Sequence, residues 1–443
     1  MSTPARDPVT LGRVTRLWFP LALSWLIMGL EQPLVAAAVA RLPDERVQLA
    51  AFGGIAFPVA LVVEGPIIML LAASTALCGR WRDYARLRGY VHFAGAALTL
   101  LHAALAFTPL YESVVVRLLG AGPAIAGPGK LALQCLLPWT WAIAWRRFLQ
   151  GLLIRAEQGG AVTKGTLVRL AADLVALGVG WRLHLPGAAL AGLILSTGVL
   201  AEAAYVSWRV RPVLASLRAQ APSDDTPTIR LGAFLRFYIP LALTPLITLL
   251  LQPLGSAAIN RMPLALSSLA AWPAVHGLVF LMRSLGMAFN EVVVSLLGAP
   301  GSVQALKRFS RLLSLGTMLV LLALAATPLG ELYFARVVGL DPWLTALAMT
   351  GLAASVLMPG YQALLSWSMG SLVARRTTRG ITEGVLLYFA LAALFLGLAI
   401  RSGFGPGLPL ALACFVLAGL GQTAFLAWRA GPALRAFERE EGS

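Results

Sequence analysis

Arg283 is the residue whose position has the clearest chemical implication. It falls near the middle of the apolar stretch 271–298, which is long enough to cross a bilayer as a helix. A charge at that depth costs about 2.5–3.5 kcal/mol on insertion scales, so the side chain should face protein or water. His276 and Asn290 lie seven residues to either side and share its helical face. The pattern predicts a surface that attracts an anion.

Two carboxylates in apolar stretches are candidates for carrying a coupling proton or sodium ion. Glu31 lies in the first such stretch and Glu64 in the second. Ionisable residues inside the membrane usually mark substrate or ion pathways. A fixed ion pair that only orients helices is the structural alternative for Glu64 and Arg283.

Proline follows glutamine in two of the apolar stretches, at Gln32-Pro33 and Gln252-Pro253. Proline removes a backbone hydrogen bond, and membrane proteins tolerate such breaks where they line a cavity. We therefore expect Gln32 and Gln252 to line a substrate cavity, together with Asn260. For the neighbouring Thr244 and Thr248, contacts between helices are an equal alternative.

Other polar residues have mainly structural interpretations. Arg146 and Arg147 end the fourth stretch and are interpreted as an interfacial anchor, with an anion-attracting vestibule as the alternative. The isolated histidines are interpreted as structural: His92, His102 and His184. The cysteines are interpreted as small buried hydrophobes: Cys78, Cys135 and Cys414.

The composition is that of a polytopic helical membrane protein. The 443 residues are 58% hydrophobic and only 12% charged, about half the charged fraction of ordinary soluble domains. Apolar runs of about 20 residues, enough to span a bilayer, recur along the chain. The net charge of +16 is explained by basic loops on one side of the membrane, so no nucleic-acid partner is expected.

Twelve membrane-spanning helices are predicted, six in each half of the chain. Their ranges are 16–40, 50–78, 89–108, 130–154, 167–181, 186–208, 236–260, 271–298, 312–327, 342–373, 381–400 and 408–428. Most of the 35 Lys and Arg residues fall on the side that holds both termini, so both termini are predicted to be cytoplasmic. The composition is compatible with a bacterial plasma membrane, and a multi-pass monomer is expected.

The chain is a duplicated half. Landmarks of the first half recur about 220 residues later: Phe19-Pro20-Leu21-Ala22-Leu23 as Ile239-Pro240-Leu241-Ala242-Leu243, Thr108-Pro109-Leu110 as Thr327-Pro328-Leu329, and Trp208-Arg209 as Trp428-Arg429. We predict an N-terminal lobe over 1–214, a cytoplasmic linker over 215–230 and a C-terminal lobe over 231–443. Six spans per half give both lobes the same orientation, with a central cleft between them.

Glu64 and Arg283 occupy corresponding positions of the repeat and carry opposite charges. We expect them to line the cleft from opposite lobes and to pair in the empty state. They would separate when an anion takes the place of Glu64 on the guanidinium.

Motifs for enzymatic chemistry are absent from the sequence. There is no phosphate-binding Gly-x-x-x-x-Gly-Lys-[Ser/Thr] loop, no zinc-binding histidine pair and no Gly-x-Ser-x-Gly elbow. No catalytic residue, metal or cofactor is expected. A secondary transporter needs none of these motifs.

Short motifs resemble the progressive ankylosis protein family, within the flippase superfamily that includes multidrug and toxin extrusion transporters. They are Phe19-Pro20-Leu21, Glu31-Gln32, Gly65-Pro66, Ala142-Ile143-Ala144-Trp145, Gly151-Leu152-Leu153, Ile229-Arg230, Pro240-Leu241-Ala242-Leu243 and the region around Pro359. The resemblance implies export of small polyvalent anions such as citrate, pyrophosphate or nucleotides. It covers Glu31 and Gln32 but not Arg283, whose role rests on the physical argument.

The sequence therefore favours a secondary active exporter of organic or phosphate anions. The bound anion would contact Arg283, His276, Gln252, Asn260, Asn290 and Gln32. A cation or drug antiporter, with Glu31 and Glu64 holding the cation, and a lipid-linked precursor flippase remain alternatives. A scaffold that transports nothing is a further alternative.

Overall fold

The structure is a computed structural model that describes residues 8–220, 229–377 and 379–442. Twelve long helices account for most of it. They are α1 (Leu11–Val39), α2 (Glu45–Leu77), α3 (Trp81–Phe107), α4 (Pro123–Cys135 with Leu137–Arg155), α5 (Gly159–Arg182), α6 (Gly187–Ala219), α7 (Leu231–Ile259), α8 (Ala265–Leu296), α9 (Ser302–Ala326), α10 (Pro342–Ala374), α11 (Arg379–Ser402) and α12 (Gly407–Gly442). The prediction of an all-α polytopic fold is confirmed.

Ten of the twelve helices, counted over the described ranges, are long and apolar enough to cross a membrane. The other two are α4 and α5. The first is divided at Leu136, and the second carries four charged residues within its length. These two were predicted as spans 130–154 and 167–181, and the structure extends both helices at each end. Of the predicted linker 215–230, α6 covers 215–219, and 221–228 lie outside the described residues.

The backbone repeats with the same period as the sequence. Positive φ angles recur 219 or 220 residues apart, at places where one helix ends or the next begins: Asp44 and Leu264 (57° each), Gly120 and Gly339 (73° and 91°), Glu157 and Arg376 (59° each), and His184 and Gly403 (52° and 60°). A leucine in the left-handed region is uncommon, and the repeat explains why Leu264 adopts it. The duplication predicted from short motifs is present in the conformation of the chain.

Two compact units divide the chain differently from the sequence halves. The first unit, here the arginine unit after Arg283, comprises Met1–Ala37 and Arg261–Ser443. The second, the glutamate unit after Glu64, comprises Ala38–Asn260. Most of α1 therefore packs with the second half of the sequence, and α7 packs with the first half. The predicted lobes 1–214 and 231–443 describe the repeat, whereas the packing exchanges one helix between them.

In the arginine unit, α8 is flanked by α1 and α10. The Trp18 indole of α1 donates to the carbonyl of Leu285 at 2.9 Å. Close packing against α10 occurs at Gly370, where an added Cβ would lie 2.7 Å from Val293. Small residues let helix backbones approach closely in membranes, where no hydrophobic force drives helices together. This packing fixes the face of α8 that carries Arg283.

In the glutamate unit, the corresponding contact joins α2 and α4. A Cβ added at Gly151 would lie 1.9 Å from the Ser74 Oγ, and these two residues are the repeat equivalents of Gly370 and Val293.

On α3, His102 is fully buried. It bonds Thr140 Oγ1 at 2.7 Å and the Leu133 carbonyl at 2.9 Å, which confirms its structural interpretation.

One of the two predicted helix breaks is found. The helical pattern of α1 is interrupted at Leu30, three residues before Pro33. The prediction of a break at Gln252-Pro253 is wrong, because α7 is continuous from Leu231 to Ile259. Pro253 removes one backbone donor without ending the helix, as membrane helices tolerate when neighbours compensate.

Candidate functional site

Helix α8 and helix α10 together hold Arg283. The side chain is partly buried, and its Nη2 donates to the Gln362 Oε1 at 2.8 Å. Its Nε is buried and has no hydrogen-bond partner among the described residues. A cation in a low-dielectric site with an unused donor is costly to maintain, so the arrangement is suited to accepting an anion.

Aromatic side chains border the guanidinium. The Arg283 Cζ lies 6.0 Å from the centre of the Tyr361 ring, a cation–π distance. Tyr388 of α11 is close enough to interact electrostatically with both. Gly419 of α12 fixes the Tyr361 ring, since an added Cβ would lie 2.4 Å from its Cζ. The ring and the amide of Gln362 leave the cation few orientations.

His276 and Asn290 lie on α8 in the same unit. The His276 ring stacks against Trp272 at 5.7 Å and is close enough to Arg283 to interact with it electrostatically. The Asn290 Oδ1 is buried and has no hydrogen-bond partner in the described part of the chain. Both residues therefore stay candidates for binding an anion with Arg283.

Glu31 and Gln32 lie directly before the point where α1 packs against α8. Pro33 packs against Gly277, the residue after His276, with 3.2 Å between the Pro33 Cδ and an added Cβ on Gly277. Both Glu31 and Gln32 are partly buried. The motif that the sequence analysis associated with coupling thus lies beside the helix that carries Arg283.

The remaining predicted residues belong to the glutamate unit. Glu64 is 4% exposed and ends a helical segment of α2, just before the tight turn Gly65–Ile67. The Tyr238 hydroxyl of α7 donates to the carbonyl of Pro66, so α7 packs on this turn. Gln252 lies further along α7 and Asn260 directly follows its last residue; Asn260 has a buried Nδ2 without a partner among the described residues. The pairing of Glu64 with Arg283 stays a prediction.

A buried charge network in the glutamate unit was missed by the sequence analysis. Glu202 of α6 is 1% exposed and forms an ion pair with Arg146. It also accepts from Gln150 at 2.9 Å and lies 3.9 Å from Arg169. The interpretation of Arg146 as an interfacial anchor is wrong, because α4 turns this residue toward α6. Its position at the end of a predicted span concealed this burial.

Arg147 is the neighbour of Arg146 on α4 and interacts with the same network and, in addition, with Glu64. Its buried Nε has no hydrogen-bond partner within the described ranges. It interacts electrostatically with Glu202 and with Glu64. Arg147 is therefore a cation of the glutamate unit that interacts with Glu64.

Gln362 and Tyr361 were also missed. They follow Pro359-Gly360 in α10, and this proximity to a proline within a predicted span was the available signal. Among the described residues, no three His, Cys, Asp or Glu side chains come together as a metal ion would require.

No protein-family model and no curated protein matches the sequence. Solved structures do match over nearly the whole chain. An inward-facing multidrug resistance MATE family transporter of the MOP superfamily has a TM-score of 0.67 at 13% identity, with 96% of each chain covered. The chain has the fold of this superfamily.

Two further structures share the MATE-type fold. The lipid II flippase MurJ, in an inward closed conformation, has a TM-score of 0.69 at 12% identity, covering 93% of this chain and 87% of its own. A MOP superfamily transporter from Pyrococcus furiosus has a TM-score of 0.62 at 13% identity, covering 98% and 100%. Identities this low establish the fold and leave the specific resemblance to the progressive ankylosis family a prediction.

Proposed function

We propose that the chain is a secondary active exporter of small organic or phosphate anions that works by alternating access. The observation that carries the proposal is the buried Arg283 Nε, which has no hydrogen-bond partner in the part of the chain that the structure describes, beside an Nη2 that donates to a neutral amide. An anion that completes the hydrogen bonds of the guanidinium recovers free energy that the empty site lacks. His276, Asn290 and Gln32 of the same unit would contribute to the anion site. Gln252 and Asn260 stay in the proposal on the sequence argument alone.

Coupling is assigned to Glu31 and Glu64. A carboxylate that alternates between a neutral protonated form and an ion pair can link proton movement to substrate movement. A sodium ion could take the place of the proton, since carboxylate oxygens bind both. No further cofactor is proposed, and the protein is proposed to act as a monomer in a bacterial plasma membrane with both termini in the cytoplasm.

The structural neighbours support transport as the class of activity, because they are transporters and a flippase with the same fold. The Pyrococcus furiosus protein is described as having a binding pocket of reverse polarity that suggests a different function. Pocket polarity thus varies on this fold, and the Arg283 guanidinium, with its buried Nε, favours an anion over the cations of a drug antiporter. The buried Glu64 is the observation that favours the cation antiporter as second candidate.

The test is the thermal stability of the purified protein with citrate, pyrophosphate, ATP or a lipophilic cation added. A ligand present at 100 times its dissociation constant adds about 2.7 kcal/mol to stability, a readily measured shift. We expect an anion to stabilise the protein, and Arg283→Ala to abolish the effect. Arg401→Ala, which removes an exposed arginine of α11, is the matched control and should leave it unchanged.

Stabilisation by cations alone, lost in Glu31→Gln or Glu64→Gln, would replace the anion exporter with the cation antiporter. If stabilisation by an anion persists in Arg283→Ala, the proposed site is wrong, whereas the proposed class of substrate still stands.

A further inference from the structure

We propose that a cavity between α10, α11 and α12 binds the phosphate group of an anionic ligand, at a site separate from Arg283. The cavity, here the arginine cavity, has a volume of about 700 Å³ and lies within the arginine unit. Four arginines line it: Arg375, Arg376, Arg379 and Arg429. The proposal is independent of the transport function.

Among the described residues, two carboxylates pair with these arginines and neutralise only part of their charge. Arg375 is 2.7 Å from Glu440, and Glu383 is shared between Arg379, at 2.9 Å, and Arg429. Each guanidinium offers five N–H donors in a planar fork, so two carboxylates cannot engage the donors of four arginines. Phosphate oxygens match this fork and carry the complementary charge.

The internal repeat supplies a comparison within the same molecule. A second cavity, of about 330 Å³, occupies the corresponding place in the glutamate unit. Pro212 lines it where Pro432 lines the arginine cavity, and Ala156 stands in place of Arg375. Arg155 is its one lining arginine among the described residues, and that side chain donates to the Thr75 carbonyl at 2.8 Å. Since the fold forms this cavity without an arginine cluster, the cluster is not required for packing.

The positions of the arginines point to the depth of lipid headgroups. Arg429 lies within α12, and its Cζ is 5.8 Å from the ring of the exposed Trp428. Tryptophan is enriched where the membrane meets water. Basic residues in the turn after α10 are expected from the positive-inside rule, whereas the convergence of Arg429 from another helix on the same cavity is not. The phosphate could belong to a lipid headgroup or to a soluble anion.

The experiment measures binding to the purified full-length protein in an Arg283→Ala background, so that the site around Arg283 does not contribute. The probes are dioctanoyl phosphatidylglycerol, dioctanoyl phosphatidylcholine as a neutral control lipid, and inorganic pyrophosphate. The test variant is Arg376→Gln with Arg429→Gln. The matched control, Arg155→Gln with Arg209→Gln, removes the same charge from the corresponding part of the other unit.

We expect the test variant to weaken binding of phosphatidylglycerol or pyrophosphate by about tenfold or more, because it removes charge-assisted hydrogen bonds. The control variant should change it less than about twofold. If the test variant loses phosphatidylglycerol binding, and pyrophosphate does not compete with this lipid for the parent protein, the ligand is a lipid headgroup. If the test variant loses pyrophosphate binding, the ligand is a soluble phosphate. Arg376→Gln alone changes an exposed side chain and provides the same comparison, with a smaller loss, if the double variant does not fold.

Three results would overturn the proposal. One is equal weakening in the test and control variants, and another is phosphatidylcholine binding as tightly as phosphatidylglycerol. The third is the absence of measurable binding of both phosphate probes to the parent protein.

Discussion

At the scale of single residues, Arg283 combines a stability cost with a binding function. Its Nη2 donates a hydrogen bond to Gln362, and its buried Nε has no hydrogen-bond partner among the described residues. Burying a charged donor without a partner is unfavourable, and proteins retain such groups mainly where a ligand needs them. A residue kept only for packing would stabilise the ligand-free protein and would not be needed for ligand binding.

Replacing Arg283 by methionine separates these roles. Methionine keeps much of the apolar side-chain volume and removes the buried charge, so the ligand-free protein should melt at an unchanged or higher temperature. Stabilisation by anions should be lost in the same variant. Thermal melting with and without pyrophosphate measures both effects. A fall of several kcal/mol in ligand-free stability would instead indicate that Arg283 is one partner of a structural ion pair.

The buried pair of Arg146 and Glu202 should behave differently. Removing one partner leaves an uncompensated charge in the interior, so Glu202→Gln should reduce stability by about 3–5 kcal/mol. Glu440→Gln makes the same chemical change at an exposed carboxylate, which pairs with the partly buried Arg375, and should cost about 0–1 kcal/mol. Combining Glu202→Leu with Arg146→Met should recover much of the loss. Equal melting temperatures for the two glutamine variants would contradict the buried network.

At the scale of helices, the fold is held by places where one backbone lies directly against another. Gly151 of α4 contacts α2, and its repeat equivalent Gly370 of α10 contacts α8. These two contacts orient the helices that carry Glu64 and Arg283. Pro33 of α1 likewise lies directly against Gly277 of α8, next to Gln32 and Glu31 in the chain.

Gly151→Ala tests the first of these contacts. The new Cβ would lie 2.3 Å from the Leu71 carbonyl oxygen, so α2 and α4 must move apart, at a cost of about 1–3 kcal/mol. Gly178→Ala in α5 is the control, since an added Cβ there meets nothing within 4 Å. Alanine favours a helix over glycine, so this control should leave the melting temperature unchanged or higher. Similar melting temperatures for both variants would argue against close packing of α2 and α4.

At the scale of the whole molecule, duplication and packing divide the chain differently. The sequence repeats between residues 1–214 and 231–443, yet α1 belongs by packing to the second half and α7 to the first. Each unit therefore contains helices from both halves of the sequence. A variant expressed without α1 would remove a packing partner of α8, not a peripheral helix of the first half.

The predicted orientation can be tested with reporter fusions. A C-terminal green fluorescent protein should fluoresce in bacterial cells, and a C-terminal alkaline phosphatase should be inactive, because the positive-inside rule places this end in the cytoplasm. Fusions after residue 339, in a connection predicted to lie on the opposite side, should give the reverse result. An active phosphatase at the C-terminus would invert the predicted topology.

Hydrophobic runs, basic loops and repeated motifs determined by themselves that the chain is a duplicated, all-helical membrane protein, and they singled out Arg283. They did so because membrane insertion depends on local quantities, namely the length of an apolar run and the charges within and around it. The break in α1 followed from Pro33, whereas Pro253 showed that one proline does not determine whether a helix ends.

Only the tertiary structure decided which side chains meet. In a chain whose helices are apolar on most faces, the pattern of hydrophobic residues does not show which face contacts a neighbour. Gln362 and Tyr361 became partners of Arg283 through the packing of α8 on α10, and Arg146 became buried through the packing of α4 on α6. The exchange of α1 and α7 between units has the same cause, because close contacts at small residues select helix partners and do not depend on order along the chain.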